Sequence, residues 1–282
     1  MATLDRWQRW LWEKLTQWLN AEQREDGISL CDFERLSYEL RPGDVILVQG
    51  RARISEVIKM ITQSSWTHAA LYIGRIHDID SPALRERVLQ FYKGDPSAQL
   101  LIEALLGQGI IVTPLNHYAH HNLRVCRPTD ISRQDAQQVI GAAIQRLGHG
   151  YNVRQLLDLA RFMFPYGLLP RRWRSSLFQH NAGEPTRTTC ATMLVEAFQT
   201  VHYPVLPVMH REAGKPRLYR RNPRLYSPRD FDDSPYFDII KHPFLGEDSA
   251  MTYRQLPWTI EGAHRDERIQ ANAPEAAAGK AH

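Results

Sequence analysis

The sequence predicts an α+β fold in which a small, mostly antiparallel sheet packs against a buried helix with a cysteine in its first turn. Two observations predict it. Between residues 43 and 127, short apolar runs recur, each bounded by turn residues. Further on, Thr188-Thr189-Cys190 opens a segment whose Ala191, Leu194, Val195 and Phe198 fall on one helical face. The 282 residues and hydrophobic fraction of 43% suffice for a sizeable core.

In chain order, residues 4–20 form a Trp-rich amphipathic segment, with Leu4, Trp7, Trp10, Leu11, Leu15, Trp18 and Leu19 near one face. Such a segment suits a helix in a membrane interface or one docked on protein, and the mixed charge of its polar face favours docking. Arg6, Arg9, Glu13 and Lys14 interrupt any secretory apolar core, and no apolar run is long enough to span a bilayer. The expectation is a cytoplasmic protein, peripheral at most to the inner face of a membrane. Three segments are expected: 1–39 with the amphipathic helix, 40–245 as the main domain, and 246–282 as an extension whose tail from about 262 is disordered.

The turn Arg41-Pro42-Gly43-Asp44 leads into a strand at 45–50, and Ile54, Val57, Ile58 and Ile61 mark a helix over 54–62. The loop Gln63-Ser64-Ser65-Trp66-Thr67 delivers His68 to the strand at 69–74. Residues 75–99, polar and punctuated by Asp-Ser-Pro and Gly-Asp-Pro, read as an excursion between strands. Further strands are expected at 100–104, 109–114 and 123–127, and a helix capped by Ser132 runs to Leu147. Residues 152–182, aromatic and basic, suit a lid or helical hairpin. Residues 203–235, rich in Pro and Arg, are expected to be irregular.

Net charge is +4, with basic residues clustered at 171–174 and 211–224. No nucleic-acid motif accompanies them, so a solvated surface is the favoured reading. Cys31, Cys126 and Cys190 cannot all pair within one chain, which argues against a disulfide scaffold.

Thr188 or Thr189 can cap the helix, placing Cys190 where unpaired amides and the helix dipole favour a thiolate. The alternative is a small buried apolar residue. A cysteine nucleophile needs a base. Among twelve histidines, His117, His120 and His121 lie in a polar loop without partnering ligands and are expected at the surface. His68 opens an apolar strand, where a side chain emerges at a sheet end; a structural, hydrogen-bonded histidine is the competing reading. Glu103 is the one charge in an apolar run and requires a partner, either Arg124 or His68.

The motifs Arg41-Pro42-Gly43-Asp44-Val45-Ile46-Leu47, Thr67-His68-Ala69-Ala70-Leu71-Tyr72-Ile73-Gly74, Ile102-Glu103-Ala104, Gly148-His149-Gly150-Tyr151-Asn152 and Thr189-Cys190-Ala191-Thr192-Met193-Leu194-Val195 resemble, in order and spacing, the circularly permuted papain-like amidases of the YaeF/YiiX type. These are relatives of the NlpC-type peptidases and the lecithin:retinol acyltransferase-like proteins. The resemblance implies a permuted papain-like fold, with the sheet or half-barrel preceding the nucleophile helix. It implies Cys190 as nucleophile, His68 as base and Glu103 as the third member, with no metal or organic cofactor. Ala191 and Thr192 stand where relatives often carry a serine and an acid. On this reading the oxyanion is met by the Cys190 amide and a second donor, Tyr151 or Gln49, while Trp66 and Thr189 border the substrate pocket. The expected partner is a peptide or a lipid-like acyl substrate, cleaved or transferred at an amide, ester or thioester, with peripheral membrane contact through Trp7, Trp10 and Trp18 as a further expectation. The rival reading is a non-catalytic ligand-binding or membrane-adaptor module of the same fold.

Overall fold

The computed structural model of the chain describes Lys14, Trp18, Ala21 and residues 29–151, 187–212 and 214–242. Helix α1 (Phe33–Glu39) is capped by Asp32, whose carboxylate accepts from the Arg35 amide at 3.0 Å. The Arg41-Pro42-Gly43-Asp44 turn follows. Gly43 has φ +101°, and a Cβ there would lie 3.2 Å from the Ala136 Cβ, so both conformation and space favour glycine. Asp44 is buried and pins the turn, accepting from the Arg41 amide at 2.8 Å and from the Arg127 guanidinium at 3.0 and 2.8 Å.

From this turn the chain runs through β1 (Val45–Val48), α2 (Arg53–Thr62), β2 (His68–Gly74), α3 (Pro82–Phe91), β3 (Leu100–Leu105), β4 (Gly109–Pro114), β5 (Leu123–Pro128) and α4 (Arg133–Gln145). The short parallel pair β6 (Gly150–Tyr151) and β7 (Arg187–Thr188) precedes α5 (Cys190–Gln199), the cysteine helix. A hairpin of β8 (Val208–Glu212) and β9 (Lys215–Tyr219) follows, then α6 (Arg229–Asp232) and β10 (Phe237–Ile240).

The main sheet has six strands in the order β10-β5-β1-β2-β3-β4, antiparallel throughout. Alternation divides its side chains between two cores. Val45, Leu47, Ala69, Leu71, Ile102 and Cys126 face α4 and the cysteine helix. Ile46, Val48, Ala70, Tyr72, Leu101 and Val125 face the other way and are covered by Leu36 and Leu40 of the α1 region. The cysteine helix is buried from Cys190 to Phe198 except at Glu196, which pairs with Arg146 at 3.2 Å. Its far end is clamped by aromatic rings: Phe198 lies 5.5 Å from both Tyr203 and Phe237 and 6.5 Å from Phe231.

Several expectations change. The excursion at 75–99 contains α3, with Pro82 in its first turn after Ser81; Val88 is its buried residue, so little periodicity was visible. Residues 203–235 are not irregular: they hold the hairpin, a 3₁₀ turn at Pro223–Leu225 and α6. Every residue of both hairpin strands is exposed, so no apolar alternation marks them. His121 is buried rather than superficial. Trp18 is 55% exposed, and the Arg53 guanidinium stacks over its ring at 4.7 Å. Trp7 and Trp10, the aromatic segment 152–182 and the C-terminal tail lie outside the described residues. Among the described residues, no helix is long and apolar enough to cross a membrane.

Because Phe198 anchors the cysteine helix in a cluster of rings, Phe198→Ala is expected to cost about 3–5 kcal/mol. A urea midpoint lowered accordingly, with an unchanged m-value, is the expected measurement.

Candidate active site

Thr189 is the N-cap of the cysteine helix. Its hydroxyl accepts from the Thr192 amide at 3.3 Å and lies 2.8 Å from the Thr192 hydroxyl. Thr192 in turn donates to the Pro223 carbonyl at 3.3 Å, so it ties the helix start to the loop after the hairpin. Cys190 thus occupies the first helical position, 7% exposed, with the dipole and free amides of the helix N-terminus behind it.

His68 comes from the opposite direction, as the first residue of β2. The register pairs Val48 with His68 and Leu71 with Ile102. Continued along the strands, it sets Ala70 across from Glu103, so His68 and Glu103 share a sheet face. Their side chains meet: His68 Nε2 lies 2.5 Å from Glu103 Oε2. Glu103 is fully buried, and the same Oε2 accepts from the Tyr118 hydroxyl at 2.5 Å. Oε1 is buried without a hydrogen bond of ordinary length. Since Nε2 is taken by Glu103, the hydrogen bond between His68 and Cys190 falls to Nδ1.

The electrostatics follow from this contact chain. Burial works against an ionised Cys190. The charge and hydrogen bond of His68, with the backbone amides of Ala69 and Ala191, outweigh it and hold the thiol below its ordinary value. Burial likewise disfavours the imidazolium of His68, yet Cys190 and Glu103 together raise it to about 10. Glu103, which burial alone would push up, is held down by His68, by Thr113 and by Tyr118. Both directions favour a thiolate–imidazolium pair. The other cysteines lack such neighbours, and burial raises both Cys31 and Cys126.

The remaining expected residues are placed less uniformly. Gln49 lies just past β1, at the same sheet end as His68, and its Oε1 accepts from Asn122 Nδ2 at 3.1 Å. Tyr151 pairs with Thr188, which brings its backbone beside the strand feeding the cysteine helix; its side chain is not described. Trp66 is part of a cluster in which Arg124 stacks on its ring at 4.6 Å and Asp232 accepts from both, at 3.2 Å from Trp66 Nε1 and 2.5 Å from Arg124. Arg124 is therefore committed to Asp232, not to Glu103. His117 and His121 set ring edges against Tyr118 at 4.9 and 5.3 Å. Among the described residues, no three His, Cys, Asp or Glu side chains are grouped to hold a metal ion. Sequence reasoning missed Tyr118 and the Ala69 amide. The first sits in a polar loop, and the second is a backbone group, which has no residue-type signal.

Residues 39–162 match the family model described as permuted papain-like amidase enzyme, YaeF/YiiX, C92 family. The resemblance to the permuted papain-like amidases holds. In this chain His68 precedes Cys190, and the family match ends before Cys190. The crystal structure of metalloprotein yiiX from Escherichia coli O157:H7 is similar at 17% identity and a TM-score of 0.44, covering 72% of this chain and 97% of that chain. No curated protein matches the chain.

The contact of Cys190 with His68 makes a sharp distinction among the three thiols, since Cys31 and Cys190 are equally exposed, at 7%. Iodoacetamide at pH 6 is expected to alkylate Cys190 in the folded protein while sparing Cys31 and Cys126, because only the thiolate reacts. Peptide mass mapping after timed quenching reads this directly. Comparable slow labelling of all three would contradict the ion pair.

Proposed function

We propose that the chain is a cysteine hydrolase acting on amide bonds, with Cys190 as nucleophile, His68 as general acid–base and Glu103 as the group that orients and charges the imidazole. The observation that carries this reading is the continuous contact from Cys190 through both nitrogens of His68 to a fully buried carboxylate. The family description, which names amidases, favours an amide over an ester or thioester.

The Cys190 thiolate attacks the carbonyl carbon, and the C=O π pair moves onto oxygen. As the tetrahedral intermediate collapses, the C–N bond breaks and the amine leaves with the proton from His68 Nδ1. Neutral His68 then takes a proton from water as the water attacks the thioester. The acid departs and the thiolate–imidazolium pair returns. Glu103 favours each imidazolium stage by accepting from Nε2–H, and it fixes the tautomer in which Nδ1 faces the sulfur. The oxyanion is met by the Cys190 amide at the helix N-terminus and by Gln49 as second donor. That assignment is supported by the position of Gln49 at the sheet end beside His68, and by the Asn122 contact that occupies its Oε1 and leaves Nε2 to donate. Thr189 holds the first turn in place. Trp66, two residues before His68, borders the acyl side of the cleft, and Tyr151 borders the approach to the helix.

The test is release of p-nitroaniline from a panel of peptidyl p-nitroanilides, run beside acyl thioesters and phospholipid esters. Turnover confined to anilides supports the amidase reading, and turnover confined to lipid esters redirects it to a lipid acyl hydrolase or transferase. In either case an acyl adduct on Cys190 should be visible by intact mass spectrometry. Cys190→Ala is expected to abolish turnover, and His68→Ala to lower kcat by roughly 10²–10⁴-fold. Gln49→Ala should lower kcat by about 10²-fold with little change in KM. Full turnover in Cys190→Ala would exclude the mechanism, and ligand binding without turnover in the wild-type chain would favour a binding module.

A further inference from the structure

The carboxylate of Glu103 is used asymmetrically. Oε2 lies 2.5 Å from His68 Nε2 and 2.5 Å from the Tyr118 hydroxyl, while Oε1 is buried with no hydrogen bond of ordinary length and the Thr113 hydroxyl faces the carboxylate from β4. Tyr118 ends the 3₁₀ turn Leu115–Tyr118 after β4, fifteen residues beyond Glu103 and across the β3–β4 hairpin. Its ring is 6% exposed and held by edge contacts with His117 and His121, and its centroid lies 6.3 Å from that of His68. The hydroxyl is thus delivered to one oxygen by a ring that cannot readily turn away.

We propose that Tyr118 is a positioning residue of the catalytic site: its hydroxyl fixes which oxygen Glu103 offers to His68 and keeps that carboxylate ionised. The inference rests on the catalytic reading above and adds a fourth member, acting through Glu103 without touching the substrate. A carboxylate free to rotate about its terminal torsion could offer either oxygen to His68, or neither squarely. A donor on Oε2 removes that freedom and helps a wholly buried charge survive without water. The hydroxyl is neutral and donates a proton it keeps, so no net proton transfer is involved.

The groups facing Glu103 are His68 from β2, the Thr113 hydroxyl from β4 and Tyr118 from the 3₁₀ turn, with Cys190 one contact further on and His117 and His121 behind the Tyr118 ring. The direction of the effect is determined by this set. Losing the Tyr118 hydroxyl makes the carboxylate easier to protonate and a weaker partner for His68. The imidazolium then loses its proton more readily, and Cys190 becomes a thiolate only at higher pH. Both changes move the acid limb of Cys190 reactivity upward.

The experiment measures the pH dependence of Cys190 alkylation by iodoacetamide in the full chain, for wild type, Tyr118→Phe, Glu103→Gln and the double variant, alongside thermal melting. Tyr118→Phe is expected to shift the acid limb up by about one pH unit, so that alkylation slows by up to about tenfold at pH values below the limb. The double variant should match Glu103→Gln alone, because the hydroxyl has no role without the carboxylate. A substrate identified for the chain should show the loss in kcat with KM unchanged. A Tyr118→Phe profile that superimposes on wild type, or additive effects in the double variant, overturns the positioning role while leaving the activated cysteine intact. An ordinary thiol profile in wild-type Cys190 would instead overturn the catalytic reading and this inference with it. A change in melting temperature without a change in profile assigns Tyr118 to packing alone and equally overturns the proposal.

Discussion

The site depends on a buried carboxylate that stays charged. Glu103 lies on a strand in the middle of an apolar run, without access to solvent, and a carboxylate in that position is costly unless its charge is matched. The match is His68, which can supply a positive charge only by holding a proton against its own burial. Each group therefore favours the ionised form of the other, and the pair in turn favours a thiolate at Cys190. Burial would neutralise each of the three groups individually, and each is favoured in its charged form by its neighbour in the series.

The fold makes this series possible by bringing two layers to one sheet end. Glu103 and Tyr118 belong to the side of the sheet covered by α1, whereas the cysteine helix packs on the opposite side. His68 can touch both because it is the first residue of its strand, where the side chain is not yet enclosed by neighbours in the sheet. One residue deeper, Ala69 lies within the core facing the helix, and its amide serves the sulfur instead. The two other cysteines make the same point by contrast. Cys126 is buried within the sheet with no imidazole beside it, and burial leaves it a neutral thiol.

How much of this was legible in the sequence follows from what each element buries. Five of the six strands of the main sheet, β1 to β5, are mostly apolar and bounded by turn residues, so they could be read directly, whereas the edge strand β10 could not; the cysteine helix announced itself through its cap and spacing. His68 and Glu103 were visible as polar residues at places where polarity needs a reason, although the choice between Arg124 and His68 as the partner of Glu103 required the register and the competing claim of Asp232. Tyr118 was illegible because its role depends on a hairpin returning it to β3, and its local context, a polar loop between histidines, resembles a surface. The hairpin at 208–219 and the helix at 82–91 escaped for the opposite reason: they bury too little for a periodic pattern to form. Ser81 and Pro82 did carry a helix-start signal, which the surrounding Asp and Gly residues made easy to take for a loop.

The central claim is that Cys190 rests as a thiolate against an imidazolium. Its most direct test is the ultraviolet difference absorbance near 240 nm between the wild-type chain and Cys190→Ser, followed from acid to alkaline pH, since a thiolate absorbs there and a thiol does not. The account predicts a difference band of one thiolate that is already present at neutral pH and disappears only well on the acid side. A band that appears only as the pH approaches the ordinary cysteine range, near 8.5, would contradict it.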